Sequence, residues 1–317
     1  MRLRLSLRAV VMSLGMVAGA AHAASPLRDT QGSGFYRLRL GDDMVTALLD
    51  GTHPFKADEL FTGIERDKVD AILADNFLSS PVEGSINAFL IDTGSHLILI
   101  DTGAGPLYGK DGGYLADNLI AAGYRPEDVD DILITHLHLD HEGGLMRNGI
   151  MAFPNATIHI AKADLDFWLN PANAFRVPKL LQPMFAGAKS SLGPYVASGQ
   201  VKPFEPDQEV VEGIRAIAAP GHTPGHTWFL VSSGKDHLLA WGDTVHVAAV
   251  QLAEPQAAIK YDFDSAAAVS ARQRAFAEAA SKGYWIAAAH ISFPGLGHIQ
   301  RAGQGFTWIP ANYTRTP

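Results

Sequence analysis

ITHLHLDHEGG, residues 134–144, places His136, His138, Asp140 and His141 within six positions, where the run DILIT (131–135), which reads as a short buried strand, ends. Alternate residues of an extended segment share a side, so His136 and His138 point together. The tight turn that follows brings Asp140 and His141 round to a second position. Three imidazoles and a carboxylate at one strand end are ligand chemistry for a divalent metal, provided that the rest of the chain supplies partners.

Three further strand-like runs supply them. His222 follows IAAPG, Asp243 follows LLAWG and His290 follows WIAAA. A lone polar residue at a strand end is often a hydrogen-bonded structural group, but residues at the ends of adjacent strands converge on one edge of a sheet. The cluster and these three together make a two-metal set. His136, His138 and His222 would hold one ion; Asp140, His141 and His290 would hold the other; the two oxygens of Asp243 can bridge them.

The remaining pattern places this set on an α/β scaffold. FYRLRL (35–40) and MVTALL (44–49) flank Gly41-Asp42-Asp43 and read as a hairpin, and SINAFLIDTGSHLILIDTG (85–103) reads as two strands joined at Thr93-Gly94-Ser95. In the second half, IRAIAA (214–219) precedes a hairpin formed by HTWFLVS (226–232) and HLLAW (237–241). Helices are expected around Tyr114–Ala122, over 163–169, and over 265–282, the last with Asp264 as N-cap, Gly283 at its end and an apolar stripe of Val269, Phe276 and Ala280. Residues 170–200, rich in Pro, Phe, Met and Gly without a clear period, read as an insertion or lid. Strand pairs with helices between them, in two halves of similar pattern, predict two sheets flanked by helices. Asp92 reads as a turn residue, and His226 and His298 as structural hydrogen-bonders. Gly221 and Gly225 are expected to let the His222 loop turn tightly.

The N-terminus has Arg2, Arg4 and Arg8, an apolar run from Ala9 to Ala20 and then Ala21-His22-Ala23. That is the layout of an export signal cleaved after residue 23, so residues 24–317 are expected to form a single domain, exported to the periplasm or secreted, with no membrane association after cleavage. Losing three arginines moves the formal charge from −8 to −11. An acidic surface without a basic stripe argues against nucleic acid and anionic lipid as partners. With no cysteine, the chain forms no disulfide and offers no thiolate to a metal; stability rests on a core drawn from 47% hydrophobic residues.

HLHLDH, GHTPGH, GDT and the final His290 resemble the metallo-β-lactamase superfamily of αββα hydrolases, from about residue 35 to the C-terminus. LIDTGAGPLYG (99–109), ITHLHLDHEGGLM (134–146), ADLDFWL (163–169), GDTVHVAAVQ (242–251) and IAAAHISFPGLGHI (286–299) are closer to its methyl parathion hydrolase branch. The resemblance implies an αββα sandwich of two mixed sheets and a homodimer. It also implies that the seven residues named above are metal ligands and that Asp101 holds a ligand imidazole from behind. Zinc suits an imidazole-rich site best, with manganese, cobalt or iron as alternatives. The implied chemistry is hydrolysis by a hydroxide shared between two metals, with Asp140 accepting or relaying its proton.

The pocket is expected among Tyr108, Phe167, Trp168, Phe175, Met184 and Phe185, of which Tyr108, Trp168 and Phe185 resemble aromatic pocket positions of that branch. Its organophosphate-hydrolysing members carry an aliphatic residue where this chain has His246, and Ile259 and Tyr261 are bulkier than their counterparts. A polar imidazole in a narrowed pocket suits the carbonyl of a lactone or aryl ester, of the dihydrocoumarin type, better than a tetrahedral phosphotriester. The expected activity is therefore lactone or aryl-ester hydrolysis on small hydrophobic substrates, with phosphotriester turnover as a side reaction. The alternatives are an organophosphate hydrolase proper and a non-catalytic secreted binding protein that kept the fold.

Overall fold

Strands near the middle of the chain alternate their side chains between two apolar environments, and that alternation sets the layers. The computed structural model describes Leu27 and residues 31–317, so the expected leader, residues 1–23, lies outside the described residues. The first sheet contains β1 (Phe35–Leu40), β2 (Asp43–Phe55), β3 (Val82–Asp92), β4 (Leu97–Ile100), β5 (Asp131–Ile134), β6 (Thr157–Ala161) and β7 (Val201–Phe204), paired in that order. The second contains β8 (Glu209–Val211), β9 (Ile214–Ala218), β10 (Thr227–Ser233), β11 (Asp236–Ala240), β12 (Trp285–Ala287), β13 (Leu296–Ala302) and β14 (Gly305–Pro310), also in order. Each begins as an antiparallel meander. β4, β5, β6 and β7 then run parallel to one another, as do β11 and β12.

On β4, Ile98 and Ile100 face the second sheet while Leu99 faces outward; on β5 the pattern inverts, with Leu133 inward and Ile132 and Ile134 outward. The inward set packs on Phe229, Val231, Leu238 and Ala240 of the second sheet. The outward set packs under the helix Leu115–Ala121 and under a helix covering residues 183–198. On the far side, Trp228, Leu239 and Ile286 of the second sheet pack on the helix Ser265–Lys282 through Ala275, Phe276 and Ala279. Three apolar interfaces therefore separate four layers, the αββα arrangement, and Ser33–Pro317 form one compact unit.

The long C-terminal helix starts and stops where its caps require. The Asp264 carboxylate accepts a hydrogen bond from the Ala267 amide at 3.0 Å, and Gly283 closes the helix at φ 68°. Its buried face runs through Ala268, Arg272, Ala275, Phe276 and Ala279, so Val269 and Ala280 sit at its margin rather than on the stripe.

Residues 170–200 are not a lid. Pro183–Ser198 form a 16-residue helix whose Met184, Phe185, Ala188, Leu192 and Tyr195 are core. Small residues, Gly187 and Ala188, replace large apolar ones on its inner face because Leu139 of the metal motif packs against Gly187, and this hides the helical period. Asp92 makes the expected turn, accepting from the Gly94 amide at 2.8 Å. No helix among the described residues is long and apolar enough to cross a membrane.

Candidate metal centre

The chain leaves the parallel strands on one edge of the sandwich, and the polar residues just past each strand end meet there. Asp101 follows β4, His136 to His141 follow β5, Asp243 follows β11 and His290 follows β12. His222 enters from the loop after β9, where Gly221 takes φ 139° and a Cβ would strike the Ala268 amide. Gly143 and Gly144 are required for a similar reason. A Cβ on either would strike the carbonyl of Ala104 or Thr102, so only glycine lets the motif turn lie against the strand-end loop.

All seven expected ligands are buried and converge. His136, His138, His222 and Asp243 form one group, and Asp140, His141 and His290 another, with ligand atoms inside each within 4.8 Å of one another. Asp243 divides its carboxylate between them. Oδ2 lies 3.1 Å from His222 Nε2 and 3.7 Å from His136 Nε2; Oδ1 lies 2.9 Å from His141 Nε2 and 3.0 Å from His290 Nε2. His138 Nδ1 is 3.0 Å from His222 Nε2, and His290 Nε2 is 3.4 Å from Asp140 Oδ2. Donors at about 2.1 Å from a tetrahedral ion stand about 3.4 Å apart, so these separations suit metal coordination. Nε2 of His136, His141 and His290 and Oδ1 of Asp243 have no hydrogen-bond partner despite full burial. Groups so placed are costly unless something binds them, and the donor set fits two divalent cations.

The electrostatics agree. Burial, and then the neighbouring imidazoles, hold His136 and His138 well below the ordinary histidine pKa, so both present lone pairs. Burial also works against a charge on His141 and His222, but Asp243 and its companion carboxylates more than offset it. His141 is held well above its usual range and His222 is pushed up to about 9. Asp243 resists burial and stays far below the usual carboxylate range because imidazoles surround it. Neutral imidazoles at His136 and His138 and a negative Asp243 are the forms in which these groups bind a metal cation.

Behind the cage, four imidazoles are fixed through their other nitrogen. His141 Nδ1 meets Asp101 Oδ2 at 2.9 Å, His222 Nδ1 meets Asp262 Oδ1 at 2.9 Å, His290 Nδ1 meets the Ser85 carbonyl at 2.9 Å and His136 Nδ1 meets the Thr135 hydroxyl at 3.1 Å. Asp101 holds φ 59° and also accepts from the Thr135 amide at 2.8 Å. His226 donates from Nδ1 to the Ala219 carbonyl and accepts the Asp243 amide at Nε2, 3.0 Å away. Burial pushes its pKa down to about 3, so it is the structural neutral imidazole expected. His298 likewise bonds the Tyr284 carbonyl.

Three members of this network were not legible. Asp262 and Ser85 lie outside the quoted motifs, and Asp164 lies in ADLDFWL with no role read for it; it ties the two ligand loops by accepting from the Leu137 and Gly225 amides and the Thr223 hydroxyl. Gly225 is needed because Asp164 packs against it, since a Cβ there would come within 2.5 Å of the Asp164 amide. The roles of such residues are not marked in sequence, since they are defined by what folds against them.

The expected pocket residues divide. The half-buried Tyr108 lies beside Asp140, and burial, then that carboxylate, raises its hydroxyl well above its usual pKa. Trp168 is buried with its ring 5.3 Å from that of His138, and Phe185 packs behind it at 4.9 Å, one layer back. Phe167 and Met184 are core, and Phe175 is 81% exposed. Ile259 is buried and pairs with Phe61; Tyr261 stacks on His246 at 6.2 Å; and His246 itself lies 3.1 Å from Asp243 Oδ2, inside the cage rather than on an outer wall.

Residues 81–290 match the metallo-beta-lactamase superfamily. The chain belongs to that superfamily. Among solved structures it is similar to a hydrolase, AbOPH, of the beta lactamase superfamily, 39% identical, covering 90% of this chain and all of that one with a TM-score of 0.86. It is also similar to AidC, a dizinc quorum-quenching lactonase solved with the product N-hexnoyl-L-homoserine, 28% identical over 89% of this chain and 99% of that one, TM-score 0.82. An N-acyl homoserine lactonase of Bacillus cereus is 36% identical over 117 residues, 37% of this chain and 38% of that protein. The lactonase AttM of Agrobacterium fabrum is 32% identical over 135 residues, 40% of this chain and 44% of that protein. The chain thus spans less than half the length of these curated relatives. Fold and superfamily follow from these findings with the geometry.

Proposed function

We propose that the protein is a binuclear metal-dependent lactonase, opening lactones that carry a hydrophobic acyl or aryl group and hydrolysing aryl esters at the same centre. The carrying observation is the divided Asp243 carboxylate, one oxygen turned to each group of imidazoles. Similarity to N-acyl homoserine lactonases supports a lactone as substrate, and the proposal retains the methyl parathion hydrolase branch as the nearer relationship. Two divalent ions, with zinc first among them, supply acidified water and a positive field for the carbonyl oxygen.

The chain's own residues do the rest. Asp140, the carboxylate of the second group, takes a proton from the attacking water and returns it to the leaving alkoxide. The Tyr108 hydroxyl, kept protonated by burial and by Asp140, donates to the substrate's oxygen. Trp168, backed by Phe185, gives an apolar wall beside His138. Export after removal of residues 1–23, and a homodimer, belong to the same proposal.

The test is metal content per chain, paired with hydrolysis of N-hexanoyl homoserine lactone, dihydrocoumarin and methyl parathion before and after chelation. Two ions, with chelator-sensitive lactone turnover above phosphotriester turnover, is the expected result. Phosphotriester turnover in excess favours the organophosphate reading, while no turnover by a fully loaded protein leaves a binding protein on a hydrolase fold.

A further inference from the structure

His246 is buried to 3% exposure and none of its polar ring atoms is satisfied: Nδ1 and Nε2 both lack a hydrogen-bond partner. A neutral imidazole carries one donor and one acceptor and ordinarily finds use for both when buried. The ring is enclosed on its faces, stacked against His290 at 5.4 Å and 20° and against Tyr261 at 6.2 Å and 29°, with Phe55 edge-on at 6.1 Å. Its Nε2 lies 3.1 Å from Asp243 Oδ2.

The ring does not reach this place by chance rotation, because its backbone is anchored on both sides. Gln251 Oε1 accepts the His246 amide at 2.7 Å, and the Gln251 amide group donates to the Ala257 carbonyl. The buried guanidinium of Arg272 donates to that same carbonyl at 2.8 Å and to the Thr244 carbonyl at 2.7 Å. Loop and ring are held at the cage, and the ligand atoms of Asp243, His246 and His290 lie within 4.8 Å of one another.

We propose that His246 is an eighth metal donor: with Asp243 and His290 it forms a third donor group at the centre, its Nε2 nearest the Asp243 oxygen that also faces His222 and His136. The inference rests on the binuclear reading above. An added imidazole would favour zinc and cobalt over manganese at the ion it holds, because imidazole nitrogen suits the former.

The wild-type protein, His246→Leu and His246→Gln are stripped of metal, checked for folding by circular dichroism, and titrated with Zn2+ against a chromophoric chelator. A parallel titration with Co2+ follows the visible absorption of each bound ion. The expected result is two ions in the wild type, one of them bound at least tenfold more weakly in the Leu variant, with an altered Co2+ band for that ion alone. The Gln variant, which keeps a weak donor, falls between the two. Two ions of unchanged affinity and unchanged Co2+ spectra in both variants would overturn the eighth-donor assignment and leave the binuclear reading intact. Fewer than two ions in the wild type would instead sink the binuclear reading, and this one with it. A raised KM for lactone with both metal readouts unmoved assigns His246 to the substrate and also overturns the proposal.

Discussion

Asp50 offers the sharpest test of how the fold holds the site. It is the extra residue of a bulge where β2 and β3 slip register between Leu49 and Gly51, and the bulge turns its carboxylate under the loop that carries Tyr108. Oδ2 accepts the amides of Ala104, Gly105 and Gly113 at 2.9, 3.1 and 3.0 Å, and Oδ1 accepts that of Leu115 at 3.1 Å. Both ends of the loop are thus tied to one side chain. Asp50→Ala leaves four backbone donors without it, at about 1–3 kcal/mol each when buried. A cavity of about 250 Å³ beside Asp50 admits water to some of them, so the lower figure applies. The expected loss is about 4 kcal/mol, or roughly 8 °C in Tm at about 2 °C per kcal/mol for a domain of this size. Asp50→Asn keeps one oxygen for the three amides, sets its own donor against Leu115, and removes a buried charge. It should cost about a third as much. Urea denaturation of the metal-free protein measures both. Equal losses in the two variants, or less than about 1 kcal/mol for Ala, would refute the clamp.

Three other outcomes follow from neighbouring groups. Asp101→Asn places an amide N–H against His141 Nδ1 and should weaken the second ion about 10–100-fold, read by chelator competition, with the other ion unaffected. Asp164, raised to about 6 by burial against three hydrogen bonds, binds a proton more tightly folded than unfolded. Its contribution to stability is therefore complete below about pH 4 and is lost as pH rises through 6, a change of roughly 3 kcal/mol. The difference in unfolding free energy between Asp164→Asn and wild type, taken on metal-free protein at pH 4 and 7, should shift by that amount in the direction that penalises the variant at acid pH; a difference flat in pH would contradict it. Chelation should abolish lactone turnover, and zinc should restore it; activity that survives full demetallation would exclude the proposed chemistry.

What the sequence made legible is what recurs along a chain. Apolar runs ending in His or Asp gave the strands, and all seven of those polar residues do stand at one edge of the sandwich, because a strand end fixes position without reference to the rest of the fold. Asp264 and Gly283 were readable for the same reason, since a cap acts on its own helix. The helix Pro183–Ser198 was not. Its inner face is shaped by Leu139 rather than by its own period, and its exposed face still carries Val196. Asp50, Asp164 and Asp262 were hidden for a related reason: each carboxylate acts on backbone or imidazole groups at least 27 positions away. His246 stands between the two cases. Its place three residues after Asp243 brought it to notice as a polar group of the pocket, whereas its surroundings were not legible. Tyr261, Phe55 and His290 pack around the ring and its Nε2 lies 3.1 Å from Asp243 Oδ2, and only the fold brings these groups together.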